Sequence, residues 1–187
     1  MNEWSQKRKV MRRYDLTAQL YEMRYAEEQE AKYKAALENM NIAQGSLILD
    51  VGCGVGLLFS HVATEAEAVA GVDVSKKLLL QAQVRAQNFH SVHLVQADAD
   101  YLPFRNGSFG VVFAFTVLQN MPKPSETLKE IKRTAKHDAS IVVTGLKKTF
   151  SIDAFRELLQ HAGLSVVSLM DEDVLKCYVA ISLQSLT

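Results

Sequence analysis

Short apolar runs recur along the chain after residue 46, and segments with apolar positions three and four residues apart lie between them. A short apolar run bounded by turn residues is typical of a buried strand, whereas the wider spacing is typical of a helix with one buried face. A serine can cap the first turn of a helix, which favours helix starts at Ser75 and Ser125. The pattern predicts strands at 47–51, 68–72, 92–96, 110–115, 140–144, 164–170 and 174–183, and helices at 55–65, 75–88, 125–136 and 151–162.

The order of these elements predicts the class of fold. Strands that alternate with helices indicate a parallel sheet covered by helices on both faces. The last two predicted strands have no helix between them, so we expect them to pair antiparallel at one edge. The prediction is an α/β protein with a Rossmann-like, doubly wound, seven-stranded sheet, mostly parallel with an antiparallel last strand. Ligands of such sheets bind at the carboxyl ends of the strands.

The first 40 residues follow a different pattern. They contain neither glycine nor proline, and they are rich in residues that favour helices. We expect one or two helices with a common face, and an N-terminal helical segment (1–45) beside a single core domain (46–187). The common face would carry Tyr14, Ala18, Tyr21, Tyr25, Gln29, Lys32, Tyr33, Ala36, Leu37 and Met40.

The composition is that of one compact domain. Of the 187 residues 48% are apolar, and 21 basic residues balance 21 acidic ones. These values exclude a disordered chain and a polybasic binder, although they leave room for a local basic patch. Two cysteines provide no disulfide framework, and no apolar stretch has the length of a membrane span or the position of a secretory signal. We expect a soluble cytoplasmic protein.

A glycine-rich loop follows the first predicted strand and reads LDVGCGVG over residues 49–56. Alternate glycines allow a tight turn and a close approach of the backbone to a ligand, and the helix start behind them favours a negatively charged group. The loop departs from the dinucleotide fingerprint because Leu57 stands where its last glycine would be. It also lacks the Gly-Lys-Ser/Thr of a phosphate-binding P-loop.

Acidic residues follow the next two predicted strands. Asp73 ends the second strand, where a carboxylate can accept hydrogen bonds from both hydroxyls of a ribose. Asp98 follows the third strand, where a carboxylate can accept a hydrogen bond from the exocyclic amine of an adenine. The fourth strand ends in Phe115 and Thr116, which would form a wall of the reaction site.

In this order, the four motifs resemble class I S-adenosylmethionine-dependent methyltransferases of type 11 over residues 46–181. The resemblance implies S-adenosylmethionine as the cofactor and S-adenosylhomocysteine as its product. It implies the glycine loop at the methionine part, Asp73 at the ribose, a group of three residues around the adenine, and the end of the fourth strand at the sulfonium. The residues so implied are Asp50, Gly52, Cys53, Gly54 and Gly56 in the loop, Asp73, then Val74, Asp98 and Ala99, and finally Phe115 and Thr116.

The sequence indicates less about the methyl acceptor than about the cofactor. The sulfonium is already activated, so transfer requires chiefly alignment and exclusion of water, and we assign no catalytic residue. Gln119 and Asn120 follow the fourth predicted strand, and we expect them to contact the acceptor. The segment lacks the Asn/Asp-Pro-Pro-aromatic loop of exocyclic-amine methyltransferases, neither cysteine is placed as a nucleophile for carbon methylation, and no spacing predicts a metal site.

The N-terminal tyrosines resemble an element of the ubiquinone- and menaquinone-type methyltransferases, in which a helix covers the cofactor. That resemblance implies that Tyr14, Tyr21 and Tyr25 line the pocket beneath a helical lid. Alternatively, the tyrosines pack on the sheet and stabilise it.

Five cations stand within seven positions near the N-terminus: Lys7, Arg8, Lys9, Arg12 and Arg13. One interpretation is a patch that contacts the phosphates of RNA. The other is the solvated start of a helix.

Three functions remain open from the sequence. A methyltransferase with a small-molecule acceptor is slightly favoured. An RNA or protein methyltransferase is an alternative, with an activating subunit paired to the edge of the third strand. A subunit that binds S-adenosylmethionine without catalysis is the other.

Overall fold

The computed structural model describes residues 3–184, except the side chains of Gln19, Tyr21 and Glu22. Five α-helices and seven strands make up this part of the chain. The helices are α1 Glu3–Leu37, α2 Phe59–Val62, α3 Lys76–Ala86, α4 Pro124–Thr134 and α5 Ile152–His161. The strands are β1 Leu47–Val51, β2 Ala68–Asp73, β3 Val92–Gln96, β4 Phe109–Ala114, β5 Ala135–Leu146, β6 Leu164–Met170 and β7 Cys177–Gln184.

All seven strands form one sheet, in the order β3-β2-β1-β4-β5-β7-β6. β1 pairs in parallel with both β2 and β4, so the strand order reverses on either side of β1. β7 runs antiparallel between β5 and β6. The predicted fold class is therefore confirmed, and the reversal at β1 creates the crevice in which such sheets bind ligands.

Most element predictions hold, and the differences have local causes. Ser75 caps α3, since its Oγ accepts a hydrogen bond from the N–H of Leu78 at 3.2 Å. The predicted cap at Ser125 is wrong, because α4 begins at Pro124 with Lys123 as the preceding residue and no side-chain cap. A proline at the first helical position has its φ already set and has no N–H to satisfy. The helix predicted at 55–65 is only four residues long, because glycine turns take up its start.

α1 is one helix of 35 residues. Near its C-terminal end Tyr33 and Ala36 are buried against one face of the sheet, in a cluster that includes Ile48 and Phe113. Its N-terminal half passes over the carboxyl ends of the strands, where its side chains contact the loops after β2, β3 and β4. A second apolar cluster, which includes Leu128 and Phe155 of α4 and α5, covers the opposite face of the sheet. The core thus lies on both faces, and α1 joins one of them to the ligand-binding edge.

Candidate functional site

An open cavity lies at the carboxyl ends of the strands, beneath the N-terminal half of α1, with an empty volume of about 720 Å³. Residues from all four sequence motifs and from α1 form its walls. Among the predicted site residues, the lining contains Tyr14, Gly52, Gly54, Asp73, Val74, Asp98, Ala99, Phe115, Thr116 and Asn120. The structure therefore brings together the two ends of the predicted site, the cofactor loops and the end of β4.

The glycine loop has a backbone that only glycine adopts without strain. Gly52, Gly54 and Gly56 all have positive φ, at 72°, 56° and 79°. A Cβ on Gly52 would lie 2.7 Å from the side chain of Val117, so a larger residue would also clash. The N–H of Gly52 donates to the carbonyl of Val72 at 2.7 Å, which holds the loop against the end of β2. The loop is thereby fixed with its backbone at the cavity wall.

Asp73 is oriented by the backbone around it. One carboxylate oxygen accepts a hydrogen bond from the N–H of Ser75 at 2.8 Å, and the other from the N–H of Gly54 at 3.0 Å. Burial raises the pKa of Asp73 to about 6, and these backbone hydrogen bonds oppose the shift. Ser75 also donates through its hydroxyl to Asp15 of α1 at 2.5 Å. The carboxylate lies in the cavity wall, where it can accept hydrogen bonds from ribose hydroxyls.

Three residues assigned to the glycine loop lie outside the cavity lining. Asp50 is buried at the end of β1, and burial together with the charge of Asp73 raises the pKa of Asp50 to about 8. Burial also raises the pKa of the Cys53 thiol well above its ordinary value. A Cβ on Gly56 would lie 2.3 Å from the ring of Phe59, so this glycine serves packing. Contacts of the three residues with the cofactor stay predictions.

Lys7 lies beside Asp98, at the end of the cavity where the sequence resemblance implies the adenine. Its Nζ lies 2.8 and 2.7 Å from the two carboxylate oxygens of Asp98 and 2.5 Å from Asp100. Asp100 accepts a second hydrogen bond from Thr127 at 2.5 Å. Burial lowers the pKa of Lys7, but hydrogen bonds and charges of the two carboxylates outweigh it, so the pKa lies above its ordinary value. The ammonium therefore binds the same carboxylate that the sequence assigned to the adenine amine.

Contact of Lys7 with Asp98 is not predicted from the sequence, in which Lys7 stands in a run of five basic residues. Lys7 precedes Tyr14 by seven residues, and residues seven apart lie on one face of a helix. This spacing indicates that Lys7 faces the same site as Tyr14. The run divides in the structure: Lys7 is buried, whereas Arg8, Lys9, Arg12 and Arg13 are exposed.

Thr116 follows β4 at the opposite end of the cavity, and its φ is +64°, which is uncommon for a β-branched residue. Its N–H donates to the hydroxyl of Thr144 at 2.8 Å. Its carbonyl accepts from Nδ2 of Asn120 at 2.8 Å, and the same nitrogen lies 3.2 Å from the hydroxyl of Tyr14. Arg13 donates to Oδ1 of Asn120 at 2.9 Å. Asn120 therefore connects the strand end to α1.

Two buried side chains of α1 contact the Thr116 hydroxyl from the other side. Nζ of Lys32 lies 3.1 Å from Thr116 Oγ1, and Nε2 of Gln29 lies 3.3 Å from it. The sequence placed both residues on the common face of the N-terminal segment but assigned them no role. No local signal marks them, because Thr116 is 84 residues from Lys32 in the chain.

The remaining predicted residues do not line the cavity in the part of the chain that the structure describes. Tyr25 is 40% exposed and lies outside the cavity lining, and the side chain of Tyr21 lies outside the described residues. Gln119 is also outside the lining, but its Oε1 is buried without a hydrogen-bond partner among the residues described. Such an orphaned acceptor costs about 1–3 kcal/mol unless a ligand satisfies it.

A family model described as "Methyltransferase domain" matches residues 49–143. The chain belongs to this family. The matched residues contain most of β1, all of β2 to β4 and most of β5, with the glycine loop, Asp73 and Asp98. S-adenosylmethionine is the cofactor of the class I enzymes to which it belongs.

Two curated relatives are similar in sequence. The chain is 34% identical to the demethylmenaquinone methyltransferase of Staphylococcus saprophyticus over 58% of this chain and 48% of the relative. It is 28% identical to the malonyl-[acyl-carrier protein] O-methyltransferase of Marinomonas sp. over 77% of this chain and 54% of the relative. The chain thus spans about half the length of the curated relatives it matches.

Two solved structures have the same fold. Magnesium protoporphyrin IX methyltransferase of Synechocystis PCC 6803, with bound S-adenosylmethionine, has a TM-score of 0.77 at 19% identity, over 96% of this chain and 97% of the other. A Haloferax volcanii methyltransferase in complex with the activator Trm112 has a TM-score of 0.80 at 17% identity, over 93% and 96%. At these identities the likeness concerns the fold alone. Within residues 3–184, no helix is long and apolar enough to cross a membrane.

Proposed function

We propose that the protein transfers the methyl group of S-adenosylmethionine to a small-molecule acceptor and releases S-adenosylhomocysteine. One observation carries the proposal: a single cavity joins the positive-φ glycine loop, the oriented carboxylate of Asp73 and the end of β4. These are the contacts that a nucleoside with an amino-acid tail requires. The cofactor supplies an already activated methyl group.

The role of the chain's own residues is to bind the cofactor and to orient it. Asp73 would accept hydrogen bonds from the ribose, and the backbone of Gly52, which is exposed, would hold the amino-acid part together with that of Gly54. Both assignments fit, since Asp73 is fixed by two backbone N–H groups, and neither Gly52 nor Gly54 has a side chain that could obstruct a close approach. Phe115 and Thr116 would then face the methyl group, and α1 would exclude water from above.

A small acceptor is supported by the way α1 covers the cavity. Lys7, Val10 and Tyr14 of this helix form part of the cavity wall, so α1 covers part of the cavity, which favours a small acceptor. The curated relatives named above act, by name, on demethylmenaquinone and on a malonyl thioester of an acyl carrier protein. In both cases the methylated group is small, even where a protein carries it.

A second candidate is an RNA or protein methyltransferase that requires an activating subunit. β3 is an edge strand, and a groove beside it is lined by Leu80, Val92 and Leu94. Leu80 is 55% exposed. The groove is also lined by the polar residues Lys76, Gln83, His93 and Gln96. An edge strand beside such a mixed groove can accept a strand from a partner. The Haloferax neighbour is a complex with an activator, which supports this candidate.

Calorimetry with S-adenosylmethionine and S-adenosylhomocysteine tests the shared step. We expect both to bind, and Asp73→Asn to weaken binding about tenfold or more, because an amide accepts fewer hydrogen bonds than a carboxylate. Asp138→Asn, at an exposed position of β5, is the matched control. Absence of binding would contradict the proposal.

Transfer of labelled methyl groups into fractionated cell extract then identifies the acceptor. Label in the small-molecule fraction supports the first candidate, and label lost on nuclease or protease treatment supports the second. Binding without transfer to any fraction would identify a subunit that binds the cofactor without catalysis.

A further inference from the structure

We infer that the acceptor is bound as an anion at the end of β4, between Arg13 and Thr116, and that Lys32 both positions Thr116 and makes this end of the cavity electropositive. The inference rests on the proposed function, since it concerns the acceptor of the same site. Three features of the described residues carry it.

The first feature is the buried charge behind Thr116. Lys32 is 1% exposed and pairs with Glu28 at 2.8 Å, and Glu28 also pairs with Lys176 at 3.1 Å. Burial raises the pKa of Glu28, but the hydrogen bonds and charges of Lys32 and Lys176 outweigh it, so the pKa lies below its ordinary value. Glu28 is therefore ionised at neutral pH, and one carboxylate is shared by two ammonium groups. A positive charge is left over in this group.

The second feature is a second cation, Arg13, which contacts Asn120 beside Thr116. Arg13 is exposed at the rim, where it lies 5.0 Å from the ring centre of Tyr14 and donates to Asn120 at 2.9 Å. A guanidinium carries five N–H donors, and one bond to Asn120 leaves it able to bind a planar anion as well. Arg13 and Lys32 do not line the cavity themselves, but each contacts a residue that does: Arg13 contacts Asn120, and Lys32 contacts Thr116.

The third feature is the fixed conformation of Thr116. Its positive φ stores backbone strain, which persists only where the surroundings hold the residue. Lys32 and Gln29 contact its hydroxyl, Thr144 accepts from its N–H, and Asn120 donates to its carbonyl. Lys32 thus acts through Thr116 as a positioning residue and does not need to touch the acceptor.

The charges also determine which acceptor is favoured. A positive field at this point opposes a cationic sulfonium and attracts an anion, so it favours the binding of an ionised acceptor beside the methyl group. The anionic atom forms a bond to the methyl carbon as the carbon–sulfur bond breaks. The bonding pair stays on sulfur, and no proton is transferred. A carboxylate or an acidic enol or phenol has the required chemistry.

Anion-exchange chromatography tests the class of acceptor with the wild-type protein. Cell extract is separated on the column, and each fraction is incubated with labelled S-adenosylmethionine. We expect the acceptor in a retained fraction of small molecules, and the labelled product to elute at lower salt than the acceptor, because each methylation removes one negative charge.

Three outcomes would overturn the inference. They are an acceptor in the unretained fraction, a product with unchanged charge, and a nuclease-sensitive acceptor such as RNA, which would also be retained on the column. In each of them methyl transfer from S-adenosylmethionine still occurs, so the methyltransferase activity stands. Only the RNA outcome would also replace the small-molecule acceptor with the second candidate. Failure of the proposed function differs, because then neither binding of S-adenosylmethionine nor transfer of label is found.

Substitutions test the assigned residues on the purified acceptor fraction. Arg13→Met should raise KM about tenfold with little change in kcat, since it removes a charged contact at the rim. Arg156→Met, at an exposed position of α5, is its control. An unchanged KM for Arg13→Met would contradict the role of Arg13.

Lys32→Met should lower kcat about tenfold and leave the affinity for S-adenosylhomocysteine unchanged. It should also raise the affinity for the cationic S-adenosylmethionine relative to its neutral product, a change that a merely structural role would not produce. Lys34→Met, an exposed lysine of the same helix, is the control. If Lys32→Met does not fold, Thr116→Val and Thr116→Ser separate the alternatives: loss of kcat with Val and recovery with Ser supports the inference, and equal activity of the two overturns it.

Discussion

Two carboxylates of this protein, those of Asp50 and Asp73, have pKa values raised well above their ordinary range. Asp50 is buried at the end of β1, and its pKa is raised to about 8 by burial and by the charge of Asp73. Asp73 itself has a pKa raised to about 6, chiefly by burial. Both groups therefore bind protons in the folded state at pH values where the unfolded chain has released them. This has consequences for stability and for cofactor binding.

The raised pKa of Asp50 predicts a loss of stability at alkaline pH. The folded state binds more protons than the unfolded state between about pH 4 and pH 8, so the free energy of unfolding falls as pH rises through this window. Asp50→Asn removes the titration. Urea unfolding at pH 6 and pH 9 should show a smaller loss for the variant, by about 1 kcal/mol or more. Equal losses in both proteins would contradict the shift.

The raised pKa of Asp73 predicts that cofactor binding depends on acidity. Its carboxylate is the group expected to accept hydrogen bonds from the ribose, and it becomes protonated as pH falls through about 6. Calorimetry should therefore show a weaker affinity for S-adenosylhomocysteine at pH 5 than at pH 7.5. Asp73→Asn should lose this step, and its persistence in that variant would assign the titration to another group.

At the scale of elements, α1 is the part that joins the core to the cavity. Its C-terminal turns are buried on the sheet, while Lys7 and Asp15 reach loops at the strand ends. The apolar contacts with the sheet and the polar contacts with the strand-end loops thus belong to one continuous helix. Movement of its N-terminal half would change both ends of the cavity together.

Lys7→Met should strengthen binding of S-adenosylhomocysteine several-fold. The ammonium contacts both oxygens of Asp98, so an adenine amine must compete with it for the same acceptor. The methionine side chain has a similar length and carries no competing charge. Calorimetry measures the change, with Lys34→Met as the control. Weaker binding in Lys7→Met would show that the lysine supports the cofactor instead of competing with it.

Ser75→Ala should destabilise α3 and also loosen α1. Loss of the helix cap should lower the free energy of unfolding by about 1 kcal/mol. Ser75 in addition donates to Asp15, so cleavage by trypsin within residues 8–13 should accelerate. Ser151→Ala removes a comparable cap from α5 and serves as the control for stability without the contact to α1. Equal cleavage rates in the two variants would show that the hydrogen bond from Ser75 to Asp15 does not hold α1 in place.

At the scale of the whole molecule, the zero net charge hides a segregated distribution. Exposed cations lie on the outer part of α1, buried and half-buried acidic residues lie at the strand ends, and a shared ion pair lies behind Thr116. If the acceptor is a small anion, the outer cations are not required for transfer. An RNA acceptor would require them, because phosphate contacts dominate such binding.

A triple variant with Arg8→Gln, Lys9→Gln and Arg12→Gln should therefore keep the kcat/KM of the wild-type protein for the identified acceptor. The rate should also fall only modestly between about 50 and 200 mM salt, whereas several phosphate contacts would reduce affinity by orders of magnitude. Steady-state assays of both proteins over this salt range provide the measurement. A large loss in the triple variant would favour RNA.

Local rules were sufficient for the fold and for half of the site. Alternation of strands and helices predicted the seven-stranded sheet, and three glycines with positive φ stand where the loop motif required them. Asp73 and Asp98 stand at successive strand ends, and parallel strands bring such ends to one edge. These features depend on spacing along the chain, which a sequence displays directly.

The tertiary structure alone decided the role of α1. Lys7 meets Asp98 across 91 residues, Asp15 meets Ser75 across 60, and Lys32 meets Thr116 across 84. Helical periodicity predicts which residues share a face, but the angle and height at which a long helix crosses the sheet come from packing of its other end. Because of that packing, Lys7 of the basic run forms an ion pair with Asp98. For the same reason, Lys32 contacts Thr116, which has a positive φ at the wall of the cavity.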